Sequence, residues 1–188
     1  MDLIFATRNR HKFEEVKEMA SVHGIKLKMY RGPCEEIQSD KLEEIARHSA
    51  IVACTALKRP CFVEDAGLFV KALHGFPGPY SSYAFKTIGN DGLLKLMAGE
   101  SDRRAEFRSA VAYCEPGSRP IVFSGNARGY IARTSRGSGG FGFDPIFIPI
   151  GGDGRTFAEM SIDEKNKFSH RAKAFEKFLK WYIQRKKA

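Results

Sequence analysis

The chain has 188 residues, of which 43% are hydrophobic and 28% are charged, a composition typical of an ordinary globular protein. No apolar run is long enough to cross a membrane, no signal peptide is recognisable, and the four cysteines lack zinc-ligand spacing. We therefore expect one cytoplasmic domain over residues 1–188, without a zinc site or a disulfide. The formal net charge of +9 favours an anionic partner such as a nucleotide or a nucleic acid.

In the first half of the chain, strand and helix patterns alternate. Short apolar runs predict strands at residues 2–6, 26–30 and 61–63. The last of these strands is expected to end at Glu64 and Asp65. Between the strands we expect one helix capped by Asn9 and another capped by Ser39 or Asp40. Apolar side chains at helical spacing give their inner faces, namely Phe13, Val16 and Ala20 in the first helix and Leu42, Ile45, Ala46, Ser49 and Ala53 in the second.

The second half begins with a turn rich in glycine and proline at residues 75–79. After it we expect two short helices, a two-stranded hairpin, a strand and a final helix, at residues 80–88, 90–98, 104–132, 146–149 and 169–184. Asn90 is the expected cap of the second short helix. The whole pattern predicts a mixed α/β fold, because parallel pairing in the first half is joined by an antiparallel hairpin.

The most distinctive segment is the glycine-rich stretch at residues 137–147. Its glycines permit close approach of the backbone to a ligand, while Phe141 and Phe143 offer flat apolar faces on which a base could stack. Asp144 adds one directional acceptor. A purine pocket needs this combination, although a plain glycine-rich turn before a buried strand has the same pattern.

A polar segment follows the first predicted strand and opens the first helix. A helix N-terminus presents free N–H groups and favours anions, Thr7 and Asn9 can donate to phosphate oxygens, and Lys12 adds a positive charge. The alternative is an ordinary helix cap with exposed basic residues. The candidate phosphate-binding residues are Thr7, Arg8, Asn9, Arg10, His11 and Lys12.

Two adjacent acids, Glu64 and Asp65, follow the third predicted strand. Burial of carboxylates is costly unless a cation meets them, and Mg²⁺ suits one or two carboxylates together with phosphate oxygens. Glu35 and Glu36 could join them from the loop after the second strand. A carboxylate here could also take a proton from an attacking water, whereas the alternative is a turn capped by Asp65.

Four donors cluster where the last helix begins, at Lys165, Ser169, His170 and Arg171. Such donors suit a base edge that carries carbonyl oxygens. Positive charge at a helix N-terminus opposes the helix dipole, so a ligand nearby would help to explain the cluster. The alternative is simply a basic helix start.

Six segments, in order and over nearly the whole chain, resemble the inosine triphosphate pyrophosphatase family, which removes non-canonical purine nucleoside triphosphates. Each is weak alone, but the ordered set is specific. The matching segments are residues 7–12, 36–38, 63–67, 75–80, 140–145 and 165–171.

The resemblance implies a mixed α/β fold in which helices flank an elongated central sheet and two lobes surround a deep cleft. It also implies a homodimer that uses Mg²⁺ to hydrolyse ITP, dITP and XTP to the monophosphate and pyrophosphate. The partner would be a small nucleotide, and neither a nucleic acid nor a membrane is expected.

The resemblance also implies individual roles. Residues 7–12 would hold the triphosphate, Glu36 would bind the metal, and Asp65 would bind the metal or act as the base. Where many relatives place a phosphate-binding lysine the chain has Arg47, and at Ala66 only a backbone N–H could serve the phosphate. The base would be held by Phe141, Gly142, Phe143, Asp144, Lys165, His170 and Arg171.

Two other functions compete with this one. A basic nucleic-acid-binding module would use the positive charge and the aromatic loop, but the Glu64–Asp65 pair would repel a polyanion. A pyrophosphatase of the related fold that acts on methylated or pyrimidine nucleotides would lack the aromatic loop and the Ser169–Arg171 triplet.

Overall fold

The computed structural model describes residues 2–33 and 35–187. The strands are β1 (Leu3–Ala6), β2 (Leu27–Tyr30), β3 (Cys61–Val70), β4 (Pro77–Gly78), β5 (Arg104–Cys114), β6 (Ile121–Ile131) and β7 (Phe147–Pro149). The α-helices are α1 (Arg10–Val22), α2 (Leu42–Leu57), α3 (Ser81–Leu96), α4 (Ile162–Asn166) and α5 (His170–Lys187). Short 3₁₀ turns occupy Asp144–Ile146 and Phe157–Glu159.

The seven strands form one mixed sheet in the order β2-β1-β3-β5-β6-β7, with β4 paired to β3. β1 is parallel to both β2 and β3, with Phe5 opposite Phe62, whereas β7 runs antiparallel to β6. β5 and β6 are joined by residues 115–120, too short a link for a parallel crossover, so this pair is the expected antiparallel hairpin. The predicted mixed α/β fold with flanking helices is therefore confirmed, while the deep cleft and the single domain stay predictions.

The chain divides into two compact units. The first comprises the residues up to Asp65, Ser109–Gly125 and those from Arg171 onward. Its core is aromatic, because the Phe62 ring lies 4.4 Å from that of Phe5 and 5.1 Å from that of Phe178. The predicted inner faces of α1 and α2 lie in buried positions.

The second unit comprises Ala66–Arg108 and Asn126–His170. Its core also contains aromatic rings, with Phe107 and Phe147 at 4.7 Å and Phe147 and Phe157 at 5.0 Å between ring centroids. Buried Leu68 and Leu93 bring β3 and α3 into the same cluster.

The third strand is longer than predicted. It continues past Glu64 to Val70, because Glu64 finds charged partners inside the protein and the following apolar residues pair with β4. β4 approaches closely at Gly67, where a Cβ would lie 2.2 Å from the carbonyl oxygen of Gly78.

Three details of the helices also differ from the sequence-based prediction. α2 begins after Lys41, and the hydroxyl of Ser39 accepts a hydrogen bond from the Lys41 N–H instead of capping the helix directly. α3 contains the two predicted short helices, which meet at Gly89, where φ is +63° and the backbone is not helical. Asn90, the predicted cap of the second one, instead donates its side-chain amide to the carbonyl oxygen of Gly142. The short helix α4, which opens with a capping box at Ser161, was not predicted.

Among residues 2–33 and 35–187, no helix is long and apolar enough to cross a membrane. Cys54, Cys61 and Cys114 are buried and are not in disulfides, and Cys34 lies outside the described residues.

The close approach at Gly67 predicts a sharp cost for a methyl group there. Gly67→Ala should lower the free energy of unfolding by about 1–3 kcal/mol in urea titrations, because the new Cβ collides with backbone. Gly152→Ala is the matched control, since its Cβ would meet nothing nearer than 3.4 Å, and it should change stability by less than about 0.5 kcal/mol. Equal stability of the two variants would contradict the close packing of β3 and β4.

Candidate functional site

The predicted phosphate segment, residues 7–12, joins β1 to α1 in the first unit, and its last three residues begin α1. Asn9 caps α1 as predicted, its side chain accepting from the Lys12 N–H at 3.2 Å. The buried hydroxyl of Thr7 accepts from the Asn9 N–H at 3.1 Å, so the loop is shaped by its own side chains. Arg8, Arg10 and His11 are exposed. Their binding of phosphate stays a prediction.

The Lys12 side chain contacts both the backbone and the side chain of Glu64 in β3. Its ammonium lies 2.9 Å from the Glu64 carboxylate and donates to the Glu64 carbonyl oxygen at 3.2 Å. The Lys12 side chain is 16% exposed and that of Glu64 is 1% exposed, so the pair is largely removed from water. The predicted phosphate lysine is therefore held in place by the protein itself.

Glu64 lies at the centre of a buried polar cluster. Ser109 donates to its carboxylate at 2.6 Å, and the Arg171 guanidinium lies 3.2 Å away. Burial alone would raise the pKa of Glu64, but the charges of Arg171 and Lys12 and the bond from Ser109 outweigh it and hold the pKa well below its ordinary value. The cation that this acid requires is thus supplied by the chain.

Arg171 was predicted to hold the base, and the structure places it in the first unit. Its buried guanidinium pairs with both Glu15 and Glu64. Burial lowers the pKa of Arg171, but the two carboxylates outweigh it and raise the pKa, so the side chain stays charged. Its role toward the base stays a prediction, because these two acids already engage its donors.

Sequence reasoning missed Glu15 and Ser109 as members of this cluster. Glu15 follows Lys12 by three residues, a spacing that puts both side chains on one face of α1, so the signal was present. Ser109 carries no local signal, since it lies 45 residues from Glu64 and reaches it only through the neighbouring strand.

Two carboxylates remain as candidates for Mg²⁺ in the first unit. Asp65 is partly exposed and, next to Glu64 in a strand, points to the opposite face of the sheet. Glu36 is exposed in a segment anchored by Ser49, which donates to the Glu35 carbonyl at 3.1 Å. Among the described residues no group of three acid, His or Cys side chains forms a ready metal site. The donor chemistry still fits Mg²⁺, which takes few carboxylates and shares phosphate oxygens.

Arg47 and Ala66 are the two other residues that were predicted to contact phosphate. Arg47 donates to the carbonyl oxygen of Pro120 at 3.1 Å, which fixes α2 to the β5–β6 turn. Ala66 begins the part of β3 that belongs to the second unit. Their contacts with phosphate stay predictions.

The predicted base-binding loop lies in the second unit and is organised by Asp144. One carboxylate oxygen accepts from the Phe141 N–H at 2.9 Å and from the Lys165 ammonium at 2.5 Å. Gly140 has a φ of +67°, and a Cβ there would lie 2.1 Å from the same oxygen, so glycine is required. The Asp144–Lys165 pair is buried and fixes both the loop and the lysine.

The aromatic side chains of this loop divide into two kinds. Phe143 is only 3% exposed and packs edge-on against Phe85, so its ring is a core side chain and not an open stacking face. Phe141 is partly exposed, and the Lys165 ammonium lies 5.1 Å from its ring centroid. His170 is buried and stacks on Phe107 at 4.6 Å. The loop thus offers one aromatic face, beside Gly142.

The chain matches known proteins over almost its full length. The model of the Ham1 family matches residues 3–181. A "dITP/XTP pyrophosphatase" of Methanopyrus kandleri is 53% identical over 97% of this chain and 96% of its own. A protein of the same name from Hyperthermus butylicus is 50% identical over 97% of this chain and 95% of its own. The solved structure of a HAM1 protein from Coxiella burnetii has a TM-score of 0.84 at 31% identity, covering 98% of this chain and 99% of that one.

Because the pKa of Glu64 is lowered in the folded protein, we expect the free energy of unfolding to fall at acid pH. In the unfolded chain this carboxyl titrates near its ordinary pKa of 4.5, so its contribution is present above that pH and is lost as pH falls below it. Glu64→Gln should lower the free energy of unfolding at pH 7 by about 3–5 kcal/mol, because Lys12 and Arg171 lose their carboxylate. It should also flatten the decline in stability between pH 5 and pH 3.

Urea titrations across this pH range provide the measurement, and Glu14→Gln provides the control. Glu14 lies on the exposed side of α1 with a side chain 40% exposed, so its substitution should leave the pH profile nearly unchanged. An unaltered acid profile in Glu64→Gln would show that the buried cluster does not stabilise the protein.

Proposed function

The chain belongs to the Ham1 family, and we propose that it hydrolyses non-canonical purine nucleoside triphosphates, among them dITP, XTP and ITP, to the monophosphate and pyrophosphate. The observation that carries this proposal is identity of about half the residues, over nearly the whole chain, with proteins named dITP/XTP pyrophosphatase. Two lysines that are each held by a buried acid, Lys12 by Glu64 and Lys165 by Asp144, support it.

In this proposal, the triphosphate binds at the start of α1. Free N–H groups at a helix N-terminus favour anions, and the Lys12 ammonium stands beside them. Glu64 holds the Lys12 ammonium in position, and the hydrogen bond from Ser109 helps to keep Glu64 charged. Little reorganisation is therefore needed when phosphate arrives. The Lys12 ammonium has three N–H donors, so it can donate to phosphate while it keeps its contacts to Glu64 in β3.

Glu36 and Asp65 would hold Mg²⁺ together with phosphate oxygens. The metal would neutralise phosphate charge and lower the barrier to attack by water. Asp65, a partly exposed residue of β3, would accept the proton of that water.

Base choice would depend on the second unit. Hypoxanthine and xanthine carry a carbonyl at C6, which suits donors such as Lys165 and His170, whereas adenine presents an amino group there. Lys165 is held by Asp144 beside the partly exposed Phe141, so a base stacked on the Phe141 ring would meet an ammonium of fixed position. A buried unmatched polar group costs about 1–3 kcal/mol.

The same proposal includes a cytoplasmic homodimer that acts on free nucleotides rather than on a nucleic acid or a membrane. Phe76, Tyr80 and Tyr83 are exposed in the second unit and provide apolar surface that a second copy would cover. Light scattering on the purified chain should give about twice its mass of 21.1 kDa, and a monomer would contradict the dimer.

Release of pyrophosphate from a panel of nucleoside triphosphates tests the activity. With Mg²⁺, kcat/KM for dITP, ITP and XTP should exceed that for ATP by about a hundredfold or more, because the amino group at C6 of adenine and its bare N1 would both be unmatched. GTP should also be poor, since its additional amino group at C2 needs an acceptor or room. Chelation of the metal should abolish release and added Mg²⁺ should restore it. Equal kcat/KM for ATP and ITP would contradict this base recognition.

Asp65→Asn tests the general base. The substitution keeps the size of the side chain and should lower kcat by about 10²–10⁴-fold while leaving the melting temperature close to that of the wild type. Asp163→Asn, at an exposed acid of α4, is the matched control and should leave kcat unchanged. Turnover near the wild-type rate in folded Asp65→Asn would remove Asp65 from this role.

A further inference from the structure

A pocket lies in the first unit, away from the candidate phosphate segment. This pocket of about 200 Å³ includes Leu3, at the start of β1, and Pro60, just before β3. Residues 7–12 follow the opposite end of β1, a strand of four residues and therefore about 13 Å long. The pocket is thus separated from the candidate phosphate segment by the length of this strand.

The acids of this pocket already have partners. Asp2 lies 2.5 Å from the Lys28 ammonium, and Glu115 lies 2.7 Å from Arg185. Tyr113 also donates to Glu115 at 2.9 Å, and burial together with this bond raises the pKa of its phenol, so it stays a donor. Each of the two carboxylates therefore already has a cationic partner within the protein.

The cations of the pocket are less fully satisfied. Arg59 and Lys186 line it, and within the described part of the chain neither forms an ion pair. The Lys186 ammonium lies 4.7 Å from the Tyr182 ring, which attracts a cation but does not neutralise it. Arg185 contacts Glu115 through one nitrogen, and its guanidinium has further N–H donors. Positive charge and unused donors therefore converge on one concavity.

We propose that this pocket binds a small phosphate-bearing anion through Arg59, Arg185 and Lys186. Arginine matches the geometry of phosphate with paired N–H donors, and lysine adds a point charge. The volume lies below the ~300–1,000 Å³ typical of sites for larger ligands, so inorganic phosphate, pyrophosphate or a small phosphomonoester fits better than a whole nucleoside triphosphate. This binding is independent of the proposed hydrolysis.

The chain carries its own reporter for the pocket. Trp181 is the single tryptophan, and its ring lies 5.3 Å from the Arg185 guanidinium and 5.4 Å from the Tyr113 ring. An anion that draws Arg185 inward changes the surroundings of this ring and therefore its fluorescence. Inorganic phosphate, pyrophosphate and glycerol phosphate are titrated separately at constant ionic strength, so that screening stays fixed. At least one should give a saturable change, and the tightest identifies the source of the phosphate group.

Variants separate this pocket from the candidate active site. Arg59→Ala combined with Lys186→Ala should raise Kd by about tenfold or more, because both side chains are exposed and their loss removes charge without disturbing the fold. Lys180→Ala removes an exposed charge from the same helix outside the pocket and should leave Kd unchanged. Lys12→Ala should also keep the fluorescence change, whatever it does to hydrolysis. No saturation with any of the three anions, or an unchanged Kd in the double variant, would overturn the proposal.

Discussion

The buried carboxylate of Glu64 is the constraint on which the first unit depends. It lies between Lys12 and Arg171 and accepts a hydrogen bond from Ser109, so one side chain of β3 joins the starts of α1 and α5 to the sheet. A buried charge without partners is far more costly than a lost hydrogen bond, and the cluster is therefore stable only when it is complete. This requirement fixes Lys12 before any ligand is present.

The second unit also contains a lysine that is held by a buried acid. Asp144 binds the Lys165 ammonium and the Phe141 N–H with one oxygen, which fixes a loop and a cation together. In both units a buried acid orients a lysine that is proposed to meet the nucleotide. Binding then requires less ordering of flexible side chains, and this saving is the physical basis of preorganised recognition.

Much of the fold could be predicted, because periodicity and capping are local properties. The Asn9 cap and the buried faces of the helices follow from residues within a few positions of one another. The extension of β3 could not be predicted, since it depends on the distant partners of Glu64, and burial of Phe143 depends on Phe85 across the second unit. The residue types of the site were visible in the sequence, whereas the pairing of Arg171 with Glu15 and Glu64 required the fold.

The central claim is that Glu64 serves the reaction by fixing Lys12, and a double-mutant cycle tests it most directly. The kcat/KM for dITP is measured for the wild type, Lys12→Met, Glu64→Gln and the double variant, at a temperature where all four are folded. If Glu64 acts through Lys12, the double variant should be about as active as Lys12→Met alone, which gives a coupling of about 0.5–3 kcal/mol. Losses that multiply, with no coupling, would contradict the account.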